Sequence, residues 1–331
     1  MTGDAASVLT WVVGGGGLLG GALSRCLTAA GGELLDAAVT PWHDPAAARN
    51  DLRTGAIRLL ERAERTGARW QVAWCAGAGV TGTTDAALQD EVGALSAVLD
   101  TLTEQLGAPA SASGTAAARC GSVFVASSVG GVYGGSPSSP FTEADQVRPA
   151  SAYGRAKVAG EQRAAAFAAA TGVPVVIGRI TNLYGPGQNL SKPQGLISHL
   201  CQAQLTRQPI SVYVSLDTIR DYLFVDDCAD MIRLALDGAH RATDGGGGAL
   251  VKIFGSHQPV TIGTLIGECR RVFKRPLRVV LGTSSTARYQ ASDLRIRSIV
   301  WPELDHRAMT SLPAGIAATA DELFRTVQLA G

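Results

Sequence analysis

Tyr153 and Lys157 are the residues of this sequence whose types and spacing most directly suggest chemistry. They stand four positions apart in a segment with a helical pattern, so both side chains are expected on one face of a helix. A tyrosine phenol in water titrates at about pH 10 and is a weak base at neutral pH, but a neighbouring ammonium group favours the phenolate. The pair therefore predicts a catalytic base, Tyr153, activated by Lys157.

Ser127 and Ser128 stand 26 and 25 residues before Tyr153, at the end of an apolar segment, 122–126, that predicts a strand. Active-site groups of open α/β sheets gather beyond the carboxyl ends of the strands. A serine hydroxyl in that place can hydrogen-bond a substrate oxygen that gains or loses a proton. Because a Tyr-x-x-x-Lys spacing is common by chance, this serine pair is needed to make the pattern specific.

The segment Gly14–Gly20 carries five glycines between an apolar run, Val8–Val13, and a helical pattern over 18–27. Missing side chains allow a tight turn and let a pyrophosphate approach the backbone amides at the start of the helix. Because the turn follows the first strand, it predicts a dinucleotide site. Lys157 could then also hold the ribose hydroxyls of the nicotinamide half.

The choice between NAD and NADP depends on the residues that follow the second strand. An acid on the adenosine ribose is expected about 20 residues after the glycine turn. Asp36 and Asp44 bracket that place, but Thr40, Pro41 and Trp42 occupy the expected strand end. Since no basic cluster suited to a 2′-phosphate stands nearby, NAD is favoured and NADP stays possible.

The elements that must position these residues alternate between strand and helix. Strands are predicted over 8–13, 37–42, 71–75, 122–126 and 173–177, and helices over 18–27, 46–66, 88–106 and 152–170. Such alternation predicts an α/β fold, a Rossmann-type doubly wound parallel sheet. After about residue 185 the alternation weakens, which predicts a smaller C-terminal α/β substrate lobe. We expect residues 1–185 to form a dinucleotide-binding domain, with 216–240 returning to it, and 186–331 to form mainly the lobe.

Composition excludes several classes of function. The 331 residues carry a net charge of +1, so neither a nucleic-acid nor an anionic-membrane partner is expected. The longest apolar runs are strand-sized, and the N-terminal segment lacks the basic region of a signal peptide. The six cysteines form no Cys-x-x-Cys pair, so free thiols in a reducing, cytoplasmic compartment are expected, with no metal site.

Several longer motifs carry a resemblance to a known family. They are the glycine turn over 12–20, Cys75-Ala76-Gly77, SSVGGVYG over 127–134, the run FTE at 141–143, the Tyr153/Lys157/Glu161 spacing, RITNLYGPG over 179–187 and RDYLFVDD over 220–227. On these motifs the chain, from about residue 8 to 326, resembles the extended short-chain dehydrogenase/reductase family. This is the NAD-dependent epimerase/dehydratase group, which acts mostly on nucleotide sugars.

The resemblance implies a role for each matching residue. Ser128, Tyr153 and Lys157 would be catalytic, Asn182 would contact a sugar nucleotide, and Arg220 would bind its phosphates. A second phosphate-binding arginine lacks its usual context, so Arg288 is the chosen candidate and Arg295 and Arg297 are alternatives. The expected cofactor contacts are Gly14, Gly17, Leu18, Leu19, Gly20, Cys75, Ala76, Gly77, Tyr153, Lys157 and Ile180. A homodimer formed through the helices predicted over 88–106 and 152–170 is also implied.

Departures from the family pattern narrow the reaction. Val129-Gly130-Gly131 stands where the dehydratases of the family carry an acidic pair, and where its decarboxylases use a glutamate. Elimination and decarboxylation are therefore disfavoured, since they need an additional acid or base. The expected function is a sugar-nucleotide 4-epimerase that works by transient oxidation. The alternatives are a 4-ketoreductase of a nucleotide sugar, a reductase of a non-sugar ketone and a non-catalytic cofactor sensor.

Overall fold

The computed structural model describes residues 7–80, 82–107, 120–191, 194–242, 248–283 and 291–329. Its strands are β1 Val8–Val13, β2 Glu33–Leu34, β3 Arg69–Trp74, β4 Gly121–Ser128, β5 Val175–Ile180, β6 Asn182–Tyr184, β7 Ile210–Val212, β8 Ile219–Arg220, β9 Tyr222–Phe224, β10 Ala249–Phe254, β11 Val260–Thr261 and β12 Val279–Leu281. Its helices are α1 Leu18–Ala29, α2 Pro45–Thr66, α3 Asp85–Leu106, α4 Val129–Tyr133, α5 Ala152–Thr171, α6 Leu196–Thr206, α7 Val225–Ala242, α8 Ile262–Phe273, α9 Pro302–Asp305 and α10 Leu312–Leu329.

A six-stranded sheet in the order β10-β5-β4-β3-β1-β2 forms the centre of the molecule, and every pairing in it is parallel. One apolar cluster joins one face of the sheet to α2, α3 and α5, and a second joins the other face to α1 and α7. Strands buried on both faces explain the nearly continuous apolar runs of the sequence. The prediction of a doubly wound α/β fold is confirmed.

The strand predicted over residues 37–42 is wrong. The second strand, β2, is only Glu33–Leu34, and Leu35 N makes the last ladder hydrogen bond, to Thr10 O. Beyond it the chain turns, with Trp42 N donating to Thr40 O, and Pro41 has no amide hydrogen to offer a neighbouring strand. Helix α2 then begins at Pro45, because the Asp44 carboxylate accepts hydrogen bonds from the amides of Ala46 and Ala47.

A third apolar cluster lies in the C-terminal part, among α6, α8, α10 and the short strands around them. Two segments that follow residue 185 nevertheless return to the central sheet and its helices. Helix α7 packs on α1, and strand β10 pairs with β5. The division of the chain into a dinucleotide-binding domain and a lobe therefore stays a prediction. Within the described ranges, no helix is both long and apolar enough to cross a bilayer.

A buried lysine fastens the C-terminal segment to the edge strand β10. Lys252 is fully buried, and its Nζ lies 2.7 Å from Asp305 Oδ2 and 2.6 Å from Ser298 Oγ. Glu143 accepts hydrogen bonds from Ile253 N and from the Ser298 hydroxyl, which closes the network. Burial lowers the pKa of Lys252, although the hydrogen bond to Asp305 opposes that shift.

We expect Asp305→Asn to destabilise the protein by about 3–5 kcal/mol, because it removes the carboxylate that contacts a buried ammonium. Urea unfolding followed by circular dichroism measures the loss. Glu303→Gln on the same short helix, where the side chain is exposed, is the matched control and should change stability by less than about 0.5 kcal/mol. A loss below about 1 kcal/mol for Asp305→Asn would contradict this assignment.

Candidate active site

Helix α5 presents Tyr153 and Lys157 from one face, as their spacing predicts. Ser151 caps the helix, since its Oγ accepts a hydrogen bond from Gly154 N at 3.1 Å, and this places Tyr153 in the first turn. Lys157 Nζ lies 5.6 Å from the centroid of the Tyr153 ring. Both side chains are half-buried and line one cavity with Ala76 and Ser127, beyond the carboxyl ends of β3 and β4.

Ser128 ends β4 and caps the short helix α4, where its Oγ accepts a hydrogen bond from Gly131 N at 3.2 Å. A Cβ atom on Gly131 would lie 3.0 Å from Tyr153 Cε1 and 3.3 Å from Ser128 Cβ. The glycine therefore lets the tyrosine ring and Ser128 approach each other. Because the cap uses the oxygen of the hydroxyl as an acceptor, its proton stays available for a substrate oxygen.

Ser127 has a different environment from its neighbour Ser128. Its side chain is buried, and its hydroxyl donates to Glu161 Oε1 at 2.5 Å. A hydroxyl committed to a buried carboxylate cannot also bind a substrate oxygen. This contact supports the choice of Ser128, rather than Ser127, as the candidate catalytic serine.

A buried ion pair lies directly behind the catalytic candidates. Arg179 on β5 and Glu161 on α5 are both buried and approach to 2.7 Å, and Arg179 Nη1 donates to the Tyr133 hydroxyl. Tyr133 in turn donates to Thr142 O at 2.7 Å. Burial would lower the pKa of Arg179, but Glu161 holds it above the usual value, while burial raises the pKa of Tyr133.

The glycine turn has the geometry expected of a phosphate-binding loop. Gly14 has φ +88°, and a Cβ on it would lie 2.7 Å from the backbone of Ala76. A Cβ on Gly20 would lie 2.2 Å from Gly14 O, so neither position accepts a side chain without rearrangement. Gly17 is the residue before α1, and it has no side chain that could cap the helix. The backbone amide hydrogens of the first turn of α1 are therefore available to an anionic ligand.

Four other predicted cofactor contacts surround this turn. Leu18 is half-buried, whereas Leu19 and Ile180 point into the apolar core, so only their backbone atoms are suited to a cofactor contact. Cys75 N donates to Val13 O, and burial raises the pKa of the Cys75 thiol to about 12. The thiol is therefore protonated at neutral pH and is a poor nucleophile.

Glu91 on α3 is a residue at this edge of the sheet that sequence reasoning missed. Its Oε1 accepts hydrogen bonds from Ala78 N and Gly79 N, each at 2.6 Å, and so fixes the loop that follows Gly77. The side chain also lines the cavity of Tyr153 and Lys157. In the sequence it resembles any glutamate of a long helix, and no local pattern marks it.

The predicted substrate contacts Asn182 and Arg220 lie on neighbouring segments, since the strands β6 and β9 that they adjoin pair in parallel. Asn182 Nδ2 donates to Asp221 O at 2.9 Å, while the Asp221 carboxylate accepts from Thr181 Oγ1 and from Ser256. Asp221 therefore holds the substrate-side segments together rather than facing a ligand.

Arg220 is buried and donates through Nη1 to Ile219 O at 2.8 Å. Burial lowers the pKa of its guanidinium, although the group stays charged at neutral pH. In the described part of the chain, no carboxylate lies within the 4.0 Å of an ion pair with it. The charge of Asp293 acts on the guanidinium from beyond that distance, so no contacting carboxylate takes up its remaining donors, as a site for an anionic ligand requires.

Of the three candidate second arginines, Arg288 lies outside the described residues. Arg295 is engaged in a two-nitrogen contact with Asp293, at 2.7 and 2.9 Å. Although burial opposes the shift, this arginine lowers the pKa of Asp293 to about 2. Arg297 is exposed, and its backbone N donates to Phe141 O.

The single chain does not test the expected homodimer or the expected absence of a metal site. Helices α3 and α5 pack side by side and share an outer groove lined by Leu88, Val92, Arg155 and Ala159. Such a surface is compatible with a dimer, but the homodimer stays a prediction. Among the described residues, no group of three or more His, Cys, Asp and Glu side chains could hold a metal ion.

Comparison with known proteins gives a family match over most of the chain: the model of the NAD dependent epimerase/dehydratase family matches residues 10–246. A dTDP-L-rhamnose 4-epimerase of Burkholderia thailandensis is 36% identical over 26% of this chain and 24% of its own length. The dTDP-4-dehydro-6-deoxyglucose reductase of Escherichia coli is 32% identical over 36% of this chain and 37% of its own length. UDP-glucuronate 4-epimerase 4 of Arabidopsis thaliana is 27% identical over 56% of this chain and 44% of its own length. The chain therefore aligns with less than half the length of each of these relatives.

Solved structures extend the similarity of fold to nearly the whole chain. MoeE5 in complex with UDP-glucose and NAD matches with a TM-score of 0.75 and 20% identity, over 97% of this chain and 100% of that one. The UDP-glucose 4-epimerase of Thermotoga maritima, with UDP-glucose, matches with a TM-score of 0.74 and 18% identity, over 97% and 99% of the two chains. At these identities the matches confirm the Rossmann-type fold.

The buried pair behind the site gives a prediction. Glu161→Gln should cost about 3–5 kcal/mol of stability, because it leaves the Arg179 guanidinium buried without a counter-charge, as urea unfolding would measure. Glu104→Gln, at an exposed position near the end of α3, is the control and should leave stability unchanged.

The double variant Glu161→Leu/Arg179→Met separates folding from positioning. Apolar replacement of both charges should restore most of the stability that Glu161→Gln loses. Because Ser127 still lacks Glu161 and Tyr133 still lacks Arg179, we expect cofactor-dependent turnover to stay at least tenfold below the wild-type rate. Full turnover by the double variant would refute a positioning role for the pair.

Proposed function

Since the chain belongs to the NAD dependent epimerase/dehydratase family, we propose that it is a nucleotide-sugar 4-epimerase that works by transient oxidation at C4. The observation that carries the proposal is the grouping of Ser128, Tyr153 and Lys157 beside a segment, 129–131, that contains no acid. Family membership confirms the expected class of enzyme and NAD as its cofactor; the activity, the substrate and the site roles are our proposals.

In this proposal Tyr153 is the base that removes the proton from the C4 hydroxyl. Lys157 stabilises the phenolate and binds the ribose hydroxyls of the nicotinamide half, while Ser128 donates its proton to the C4 oxygen. Bound beside these residues, NAD would supply the acceptor for the C4 hydride and the donor for its return. Tyr153 then gives the proton back as the hydride returns to the opposite face of the sugar.

The residues after Ser128 support hydride transfer without elimination. Val129 is buried in an apolar cluster, and a Cβ on Gly130 would lie 3.4 Å from Leu294 Cδ1. A side chain on Gly131 would crowd Tyr153. An acid and a base that could remove water from the neighbouring sugar carbons are therefore absent from this segment.

A nucleotide sugar is the proposed substrate because the segment before β9 offers a buried cation to an anion. Arg220 has donors suited to a diphosphate, and Asn182 lies on the adjoining segment. Proteins similar to this chain carry names that include UDP-glucose, UDP-glucuronate and dTDP-L-rhamnose. Residues 186–331 would mainly hold the nucleotide sugar, and 1–185, with 216–240, the dinucleotide.

A 4-ketoreductase of a nucleotide sugar is the second candidate, since one relative is a dTDP-4-dehydro-6-deoxyglucose reductase. It would use the same three residues with the proton moving only from Tyr153 to the ketone. The two functions differ in what happens to the cofactor. An epimerase regenerates NAD in every turnover, whereas a reductase consumes one reduced cofactor for each product.

The base assignment predicts that Tyr153→Phe lowers kcat by about 10²–10⁴-fold and leaves NAD binding within threefold, because the phenol oxygen acts in proton transfer. Steady-state rates and cofactor titration measure the two effects. Tyr213→Phe, at an exposed position of the C-terminal part, is the control. Retention of more than a tenth of the wild-type kcat in Tyr153→Phe would rule out this base.

The fate of the cofactor and of the C4 hydrogen separates the two functions. As an epimerase, the purified protein should carry NAD through gel filtration, and a UDP- or dTDP-sugar deuterated at C4 should give a C4 epimer that keeps its deuterium. Mass spectrometry of the product and absorbance at the NADH band measure this. Stoichiometric loss of NADH or NADPH with a 4-keto sugar would establish the reductase instead.

A further inference from the structure

Glu91 brings a carboxylate into the cavity that holds the catalytic candidates. The residue lies in the second turn of α3, and its Oε1 accepts the two amide hydrogen bonds of Ala78 and Gly79. Its Oε2 lies on the side of Gly77, where a Cβ atom would be 3.5 Å away. One oxygen therefore fixes the loop, and the other stays on the side of the cavity.

Lys157 also lies close to this glycine. A Cβ on Gly77 would lie 3.3 Å from Lys157 Nζ, while in the part of the chain that the structure describes Lys157 and Glu91 form no direct ion pair within 4.0 Å. Both side chains line the cavity together with Ala76 and Tyr153. The ammonium and the carboxylate therefore face one space from two sides.

The other ionisable groups around this cavity do not contribute a net charge. Glu161 is neutralised by Arg179 in the buried ion pair, and Cys75 is a protonated thiol. Asp90, next to Glu91 on α3, faces α2 and pairs with Arg49 at 3.4 Å. Besides the phenol of Tyr153, which exchanges a proton in the proposed reaction, Glu91 and Lys157 are thus the charged groups of opposite sign that line this cavity.

We propose that Glu91 sets the redox balance of the bound nicotinamide cofactor by offsetting the charge of Lys157. The proposal rests on the assignment of this edge to a nicotinamide dinucleotide. The oxidised ring carries a positive charge that it loses when it accepts a hydride. A fixed carboxylate close to the ring stabilises the oxidised form, and an ammonium group disfavours it.

The balance matters for a reaction in which the hydride is returned. The substrate carbon gives its hydride to the ring and its hydroxyl proton to Tyr153, and both come back in the second half of the cycle. If Lys157 acted alone, the reduced cofactor would be favoured and the keto sugar would be left on the enzyme. When the Glu91 carboxylate offsets the ammonium of Lys157, the oxidised and reduced forms of the bound cofactor lie closer in free energy. Neither the oxidation nor the reduction half of the cycle then stops at its product.

Direct binding of NAD⁺ and NADH tests the proposal without any sugar substrate. Both affinities are measured by calorimetry and by NADH fluorescence in the wild type and in Glu91→Gln, whose amide oxygen can still accept the two loop hydrogen bonds. We expect the ratio Kd(NAD⁺)/Kd(NADH) to rise about five- to tenfold in Glu91→Gln. Asp90→Asn removes the same charge from the neighbouring position and should leave the ratio within twofold.

Lys157→Met gives the second, opposite readout. Loss of the ribose contact should weaken both forms, but the ratio should fall by at least threefold, because the remaining Glu91 charge favours NAD⁺. A ratio that stays within twofold in Glu91→Gln, or one that does not fall in Lys157→Met, would overturn the proposal. Absence of binding by either dinucleotide would instead refute the cofactor site, and binding without epimerisation would refute only the proposed activity.

Discussion

The buried ion pair between Arg179 and Glu161 is the interaction on which the arrangement of this site depends. It joins β5 to α5 in the interior, takes the hydroxyl of Ser127 at the end of β4 and reaches the phenol of Tyr133 on α4. Burying two charges is costly unless each finds its partner, so this network is satisfied in one arrangement of the four elements. That arrangement puts the next residue, Ser128, beside the tyrosine that α5 presents. The pair thus contributes more to the uniqueness of the geometry than to net stability.

A second constraint is close approach of backbone segments at the carboxyl edge of the sheet. Gly14 touches the backbone of Ala76, Gly20 packs on Gly14, and Gly131 makes room for the ring of Tyr153. Each contact crowds a Cβ atom, and the contacts of Gly14 and Gly131 join elements that are separated in the sequence. The glycines therefore let the cofactor turn, the loop after β3 and the catalytic helix meet at one place. The buried ion pair fixes the positions of the strands and helices beneath this edge, and the glycines allow the loops at the edge to pack closely together.

Local patterns predicted the parts of the structure that local forces decide. The spacing of Tyr153 and Lys157, the glycine turn and the Asp44-Pro45 start of α2 follow from helix geometry, backbone freedom and capping, and the structure has each of them. The predicted strand at 37–42 is wrong, because Pro41 and a local turn outweigh an apolar run at the edge of the sheet. Glu91 and Lys252 could not be assigned from sequence, since their partners lie 12 to 13 and 46 to 53 residues away. For such residues the three-dimensional fold decides whether a charge is solvated or works inside a site.

The distribution of charge also favours one class of proposed substrate. On the side of Tyr153 the ammonium of Lys157 faces the carboxylate of Glu91, so that region is nearly neutral and suits an uncharged carbinol. On the substrate side Arg220 is buried without a carboxylate in ion-pair contact, and a buried unpaired guanidinium is expensive unless a ligand supplies the anion. A diphosphate would give the Arg220 guanidinium a contacting anion, whereas a small neutral ketone would not. This difference favours a nucleotide sugar over a non-sugar ketone as the substrate of the proposed reaction.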